Sequence, residues 1–314
     1  MERKAERYFE REFDIIVVGG GMAGLCAAIS AARQGARTAL VHARPVLGGN
    51  ASSEIRIHIS GADQSLRQPQ YAESGLVYEL MLENKARNDF FSYSIWDAVL
   101  FEAVKKEPKL ETFLNTVMYD CETSENRIKS ISCVQGTTEM RMKLFAPLFV
   151  DATGNGTLGY YAGADFRAGS ESKCEFGEPH APEKPDNHRM GNTILIKAVD
   201  MGRPVKFTPP LFAKPLTEEQ LKYRMHCAKH KIDSSMADDP EEWLRLSGTS
   251  CRGVDYGYWW LELMGHGDDI IPDYEKIRDD LMAYAYGLWD HIKNHGDHGA
   301  ENYALEWVGA LPGM

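Results

Sequence analysis

The segment that leaves this chain least freedom is Gly19-x-Gly21-x-x-Gly24, set between the apolar run Phe13–Val18 (FDIIVV) and an alanine-rich stretch from Met22 to Gln34. A short β-branched run of this kind reads as a buried parallel strand. The small residues that follow read as a helix, and Gly35 stands where that helix should stop. Thr38–Val41 is a second short strand, so the opening reads strand, glycine turn, helix, strand: a βαβ unit. The glycines have separate uses. Gly19 permits the tight turn, Gly21 lets a diphosphate approach the backbone, and Gly24 allows the helix to pack against the strand. A dinucleotide diphosphate is therefore expected at the helix N-terminus, with Gly20, Met22 and Ala23 in the same backbone cradle.

The acidic residue that usually grips the adenosine ribose about 20 residues further on is missing. No Asp or Glu occurs between Asp14 and Glu54, and the second strand ends in Val41-His42-Ala43-Arg44. Two readings follow. Arg44 could accommodate a 2′-phosphate, indicating NADP, or His42 could hydrogen-bond the ribose hydroxyls of FAD. Two more small-residue turns bear on the choice: Leu47-Gly48-Gly49-Asn50 after the second strand, and Ala152-Thr153-Gly154 after Leu148-Phe149-Val150. Ligands of open α/β sheets lie at such carboxyl ends. A nicotinamide domain needs only the first turn, so three of them favour FAD.

Elsewhere the patterning predicts helices around Ser74–Ala86 and Trp96–Lys106. Strand-like segments at Leu110–Glu122, Arg127–Val134 and Thr138–Phe145 form an antiparallel meander in place of a second crossover helix. Residues 1–12 read as a charged lead-in, 13–165 as the dinucleotide domain and 166–314 as a substrate-side α+β region. In the last, Thr217-Glu218-Glu219-Gln220 has the spacing of a capping box and opens a helix to about Lys231. Tyr256–Met264 is an aromatic strand candidate, and Asp273–Lys293 an amphipathic helix.

Composition excludes several classes. With 46 acidic against 35 basic residues the formal charge is −11, which offers no basic field for nucleic acid. No apolar run approaches the roughly 20 residues of a membrane span. The charged start MERKAERYFEREFD lacks the apolar core of a secretory leader, so a cytoplasmic location is expected. Six scattered cysteines form no C-x-x-C pair. That spacing supports neither an iron–sulfur cluster nor a dithiol relay.

The strings VVGGGMAGLCAAISAARQG, RPVLGGNASSEIR, YSIWDAVLFEAV and VDATGNGTLGYYAGADFR resemble those of an FAD-dependent oxidoreductase family that carries R-P-V-L-G-G-N-x-S-S-E-I-R. EFGEPHAPEK, YGYWWLELMGHGDD and YGLWDHIKNHGDHGAENYALEWVGALPG resemble its middle region, so the likeness runs from Phe13 to Gly313. It implies a glutathione-reductase-type, Rossmann-like FAD fold. By that resemblance Gly19, Gly21 and Gly24 contact the FAD diphosphate, while His42, Ala43 and Arg44 lie near the adenosine ribose. Gly48, Gly49 and Asn50 follow the cofactor onward, Val117 presents backbone to the adenine, and Thr153 and Gly154 close the pocket. Ala43 and Asn155 stand where relatives often carry Asp. The chain stops at WVGALPGM, where relatives continue, so the substrate side is expected to be incomplete.

Without a dithiol pair, the mechanism that remains is direct hydride transfer between a small organic substrate and non-covalent FAD, with a protein group accepting a proton. His58 and His266 are the candidate bases, since histidine titrates near working pH. Glu54 and Arg56 suit holding the loop and cofactor better than chemistry. The spacing His291-x₃-His295-x₂-His298 invites a metal reading, but a solvated helix end explains it as well, and no metal site is assigned. His226, Cys227 and His230 read as one face of a surface helix. Tyr256, Tyr258, Trp259 and Trp260 could line a ring-bearing substrate, although aromatic strands are more often core. The alternatives to a flavin oxidoreductase are a catalytically incompetent nucleotide-binding fragment and an NADP-dependent reductase. The sequence names no substrate and no oligomeric state.

Overall fold

The computed structural model describes residues 7–57, 59, 74–187, 189–221, 226 and 269–313, together with the backbone of 259–263. The chain divides into two compact units, Met1–Arg167 and Ala168–Met314.

Unit 1 is built around a parallel sheet ordered β4-β3-β2-β8, with β2 at Ile15–Val18, β3 at Thr38–Val41, β4 at Leu110–Phe113 and β8 at Leu148–Asp151. Its inner strands are short and apolar because both faces are covered. Val17 and Leu40 face one way, onto α1 (Met22–Arg33), α2 (Gly75–Arg87) and α3 (Tyr93–Lys105), with Leu25, Ile29, Leu80, Trp96 and Leu100. Their neighbours Ile16, Val18, Ala39 and Val41 face the other way, with Met118, Ile131, Cys133 and Leu144. The alternation follows from the two-residue period of a strand. Each such side chain contributes about 1.5–3 kcal/mol on burial.

The second layer is the meander of β5 (Thr116–Ser124), β6 (Arg127–Gln135) and β7 (Met140–Phe145). The single expected strand Leu110–Glu122 is two, β4 and β5, because Asn115 adopts φ 52° and turns the chain between the sheets. The charged lead-in also differs from expectation: Tyr8–Glu12 forms β1, which lies parallel to β7 with Tyr8 opposite Arg141. Its outward charges are those of an edge strand. The short helix α4 (Thr157–Tyr161) follows β8.

In unit 2, after the short helix α5 (Lys173–Phe176), β9 (Asn192–Asp200) is the centre of an antiparallel sheet between β10 (Trp259–Leu263) and β11 (Tyr303–Val308). The long helix α7 (Tyr274–Asn294) packs Ile277, Leu281, Leu288, Trp289 and Ile292 against Ile194, Ile196 and Ala198. The capping box is present. Thr217 N–H donates to Gln220 Oε1 at 2.9 Å and Gln220 N–H to Thr217 Oγ1 at 3.4 Å, opening α6 (Glu218–Leu221). Two expectations about histidines are corrected. His226 is not on a surface face but 6% exposed, and the end of α7 is not simply solvated, since His291 and His298 are 4% and 7% exposed. Cys227 and His230 lie outside the described residues.

Candidate functional site

Three backbone turns meet at the carboxyl ends of β2, β3 and β8. Gly19 N–H donates to Val41 C=O at 2.8 Å and Ala152 N–H to Val18 C=O at 2.8 Å, fastening the first turn to its neighbours. Gly48 N–H reaches Gly20 C=O at 2.8 Å, which zips the turn after β3 to the glycine turn. The two outer glycines of the motif are structural necessities. A Cβ on Gly19, whose φ is +106°, would lie 2.0 Å from Ala152 O, and one on Gly24 would lie 1.9 Å from Gly19 O.

Gly21 is different. Its φ of −64° and ψ of 177° suit any residue, and an added Cβ would meet nothing nearer than Gly49 Cα at 3.9 Å. The protein itself does not require glycine there. The helix it caps has no acidic residue in its first turn, and the first intrahelical bond is Leu25 N–H to Gly21 C=O at 2.8 Å. The amides of Met22, Ala23 and Gly24 thus precede the helical ladder and form the positive end of the helix dipole. Neutral donors over an open glycine face fit a diphosphate.

His42 is committed to the protein. Its Nδ1 accepts the Gly20 N–H at 2.9 Å, and its Nε2 lies 2.9 Å from Val46 C=O, to which it donates. With both nitrogens used, the ribose-binding reading of His42 is corrected: the ring braces the glycine turn against the turn after β3. Burial, followed by the nearby Arg44, pushes its pKa down to about 4, and the Val46 bond opposes this only in part. The 2′-phosphate reading of Arg44 loses support too, because Arg44 Nη1 lies 3.9 Å from Glu54 Oε2. Burial raises the Glu54 carboxyl and Arg44 offsets part of that rise, while Oε2 itself is buried without a hydrogen bond.

The other expected positions fall around these turns. Thr116 N–H donates to His42 C=O at 2.9 Å and Asn115 N–H to Arg44 C=O at 3.1 Å, which sets the start of β5, with a half-exposed Val117, beside Ala43. Gly49 and Asn50 enter a short 3₁₀ turn, and Ile57 N–H closes on Asn50 C=O at 2.9 Å. Thr153 spends its polar groups locally. Its N–H (3.0 Å) and Oγ1 (2.7 Å) both donate to Asp151 Oδ1, so Thr153 shapes the turn before Gly154. His58 and His266 lie outside the described residues.

Several supports were not singled out from sequence. Trp96 Nε1–H donates to Ala51 C=O at 2.9 Å, Asp97 Oδ1 accepts Ser53 N–H at 3.0 Å, and Tyr93 OH donates to Arg56 C=O at 2.7 Å. α3 therefore holds the GGNASSEIR loop. Asp151 is the other, accepting Gly159 N–H at 2.9 Å on its second oxygen. The signal was available: an acid at the end of β8 directly before A-T-G. Replacing Asp151 with Ala is expected to cost about 1–2 kcal/mol, since charge-assisted bonds are lost at an exposed site. FAD affinity should fall with it, and thermal unfolding beside a flavin titration measures both.

The sequence profile of the family described as FAD dependent oxidoreductase matches residues 14–314. The chain belongs to that family. The chain is 36% identical over 80 residues to glycerol-3-phosphate dehydrogenase of Mycobacterium leprae (strain TN), covering 26% of this chain and 13% of that protein. It is 27% identical over 152 residues to soluble pyridine nucleotide transhydrogenase of Stutzerimonas stutzeri (strain A1501), covering 46% and 31%. The match thus spans less than a third of either relative. Among solved structures, glycerol-3-phosphate dehydrogenase from Bacillus halodurans complexed with FAD aligns at 12% identity and a TM-score of 0.39, over 68% of this chain and 52% of that one. FAD is the cofactor of this oxidoreductase family, and the fold is the mixed α/β type with a parallel sheet. No helix among the described residues is long and apolar enough to cross a membrane.

Proposed function

We propose that this flavin-dependent oxidoreductase holds non-covalent FAD across the three turns of unit 1 and exchanges hydride with a small organic substrate. The observation that carries the reading is Gly21: a glycine at a helix N-terminus that neither backbone angle nor neighbour demands, an added Cβ meeting no atom nearer than Gly49 Cα at 3.9 Å. The amides of Met22 and Ala23 would hold the diphosphate, and Gly48, Gly49 and Asn50 would line its onward path. Ala43, Arg44 and Val117 would border the adenosine. Glu54 would hold the loop beside the cofactor, with its Oε2 3.9 Å from Arg44 Nη1. His42 stays neutral and keeps Gly20 and Val46 in place, and Thr153 and Gly154 bound the pocket at β8. When bound, FAD supplies the two-electron hydride acceptor.

Cys26, Cys121, Cys133 and Cys174 are free thiols, and burial pushes Cys133 up to about 12. The decisive test is reconstitution of the purified chain with FAD. The expected result is stoichiometric flavin whose visible absorbance bleaches on anaerobic reduction and returns in air. Tight NADPH binding with no retained flavin would overturn the proposal.

A further inference from the structure

One group of residues takes no part in the flavin site. In unit 2, Glu218, His226, His291 and His298 each offer one ligand atom, and these atoms all lie within 4.8 Å of one another. The arrangement differs from the local H-x₃-H-x₂-H spacing. His295 takes no part: its Nε2 lies 3.2 Å from Asp290 Oδ2 and its side chain is 60% exposed. His226 and Glu218 come from a segment far back in the chain.

We propose that these four residues form a binding site for a zinc-type dication, with a closed set of three imidazoles and one carboxylate. Distances support it. Zn–N and Zn–O bonds of roughly 2.0–2.2 Å in a tetrahedron put neighbouring ligand atoms about 3.3–3.5 Å apart. Glu218 oxygens lie 3.0 Å from His291 Nε2, 3.2 and 3.3 Å from His226 Nε2, and 4.0 Å from His298 Nε2, which would give up its 3.2 Å bond to His295 C=O on ligating an ion. The three rings meet at centroid separations of 4.9 to 5.4 Å. All three are buried.

Chemistry supports it as well. His291 Nδ1 lies 3.0 Å from Leu216 C=O and must donate to it, since a carbonyl can only accept. That bond selects the tautomer and aims the Nε2 lone pair at the carboxylate, the outer-shell arrangement of metal-bound histidine. A positive centre is needed where a lone pair meets a carboxylate at 3.0 Å; a proton on Nε2 would serve His291 alone, whereas a dication would serve all four ligands. One dication would satisfy three imidazole nitrogens and the carboxylate together.

The surrounding chain holds the ligands in place without the ion. The capping box fixes the start of α6, where Glu218 sits. Gly296, at φ +133°, turns the chain so that His298 returns beneath the helix, and a Cβ there would meet His298 Nε2 at 2.7 Å. Lys293 Nζ donates to the carbonyls of Ala300, Glu301 and Tyr303 at 2.6, 2.9 and 2.9 Å, which closes the loop carrying His298. Imidazole ligands also suit iron, copper and nickel; a set of three imidazoles and one carboxylate makes zinc the ion to test. Its role is to tie α6 and the His226 segment to the end of α7.

The test uses the untagged full chain, stripped with chelator and titrated with Zn²⁺ against a chromophoric competitor, with Co²⁺ as a spectroscopic probe. We expect about one zinc per chain with a Kd below about 1 µM, as structural zinc sites show. The Co²⁺ form should have an intense tetrahedral visible band, and zinc should raise the melting temperature of the stripped protein. His291→Ala with His298→Ala should abolish uptake. Glu218→Gln, at an exposed side chain that folding does not need, should weaken it at least tenfold, since it removes a ligand charge where even outer-shell partners are worth roughly 10–100-fold. If the histidine variants fail to fold, the wild-type stoichiometry, the Co²⁺ band and Glu218→Gln decide. Absence of micromolar zinc binding overturns the site, and so does zinc uptake that Glu218→Gln leaves unchanged. All these readouts are independent of flavin binding.

Discussion

Gly21→Val is expected to fold at close to wild-type stability and to lose FAD, while Gly24→Ala is expected not to fold normally. The two glycines sit three residues apart in one motif, but their surroundings differ in kind. At Gly21 the backbone angles accept an L residue, and the nearest atom to a new Cβ is Gly49 Cα at 3.9 Å. The added methyls would occupy the space where a diphosphate must approach the backbone. Overpacking of this sort costs about 1–3 kcal/mol, a roughly 5- to 150-fold rise in Kd. At Gly24 a single methyl would lie 1.9 Å from Gly19 O, a backbone atom that cannot swing away. The helix must then leave the strand, and the unit loses packing around Leu25 and Ile29. Thermal melts and FAD titrations of both variants separate the effects. Equal FAD affinity in Gly21→Val and wild type would remove the observation on which the functional reading rests.

His42→Ala is expected to be the other large loss, and acid should mimic it. Truncation leaves the Gly20 N–H and the Val46 C=O without partners in a buried place, at about 1–3 kcal/mol each, and opens a cavity beside Leu47. We expect destabilisation of roughly 3–5 kcal/mol, from these losses together with the cavity cost. The pH dependence has a definite sign. The folded pKa of about 4 lies below the ordinary 6.5. An unfolded chain therefore binds the proton first, and stability present above pH 6.5 is lost progressively as pH falls toward 4. The shift corresponds to on the order of 3 kcal/mol. Wild-type melting temperature should drop through that window, and the drop should be smaller in His42→Ala, which has no ring to protonate. Identical acid profiles would count against His42 as the source.

The parts of this fold that could be read from sequence are those whose causes are local. Ile15–Val18, the glycine turn and α1 announce themselves because a buried parallel strand, a tight turn and a small-residue helix each need particular residues in a row. The meander was legible from its turns at Glu125-Asn126 and Gly136. β1 was not, since Tyr8-Phe9-Glu10-Arg11-Glu12 carries the charges of a solvated segment and is a strand only because β7 lies beside it. The break between β4 and β5 was hidden for a related reason: Asn115 turns left-handed inside an otherwise continuous apolar pattern. In the site, the glycines were legible and the duties of His42 were not, because they depend on an amide 22 residues away. The same holds for Glu218 and His226, which meet His291 only through the packing of unit 2.

The placement of β8 bears on how the molecule comes to exist. β2 pairs on one side with β3, made soon after it, and on the other with β8, where Ile15 waits for Leu148. β1 waits as long for β7. During synthesis the apolar Ile15–Val18 strand must therefore stand with one edge bare until nearly the whole of unit 1 has left the ribosome. Long-range parallel pairing of this kind is slow, and a bare edge recruits other strands. The late segment Leu148–Asp151 thus acts as the latch of the unit, and it carries the Asp151 that orders the last of the three turns.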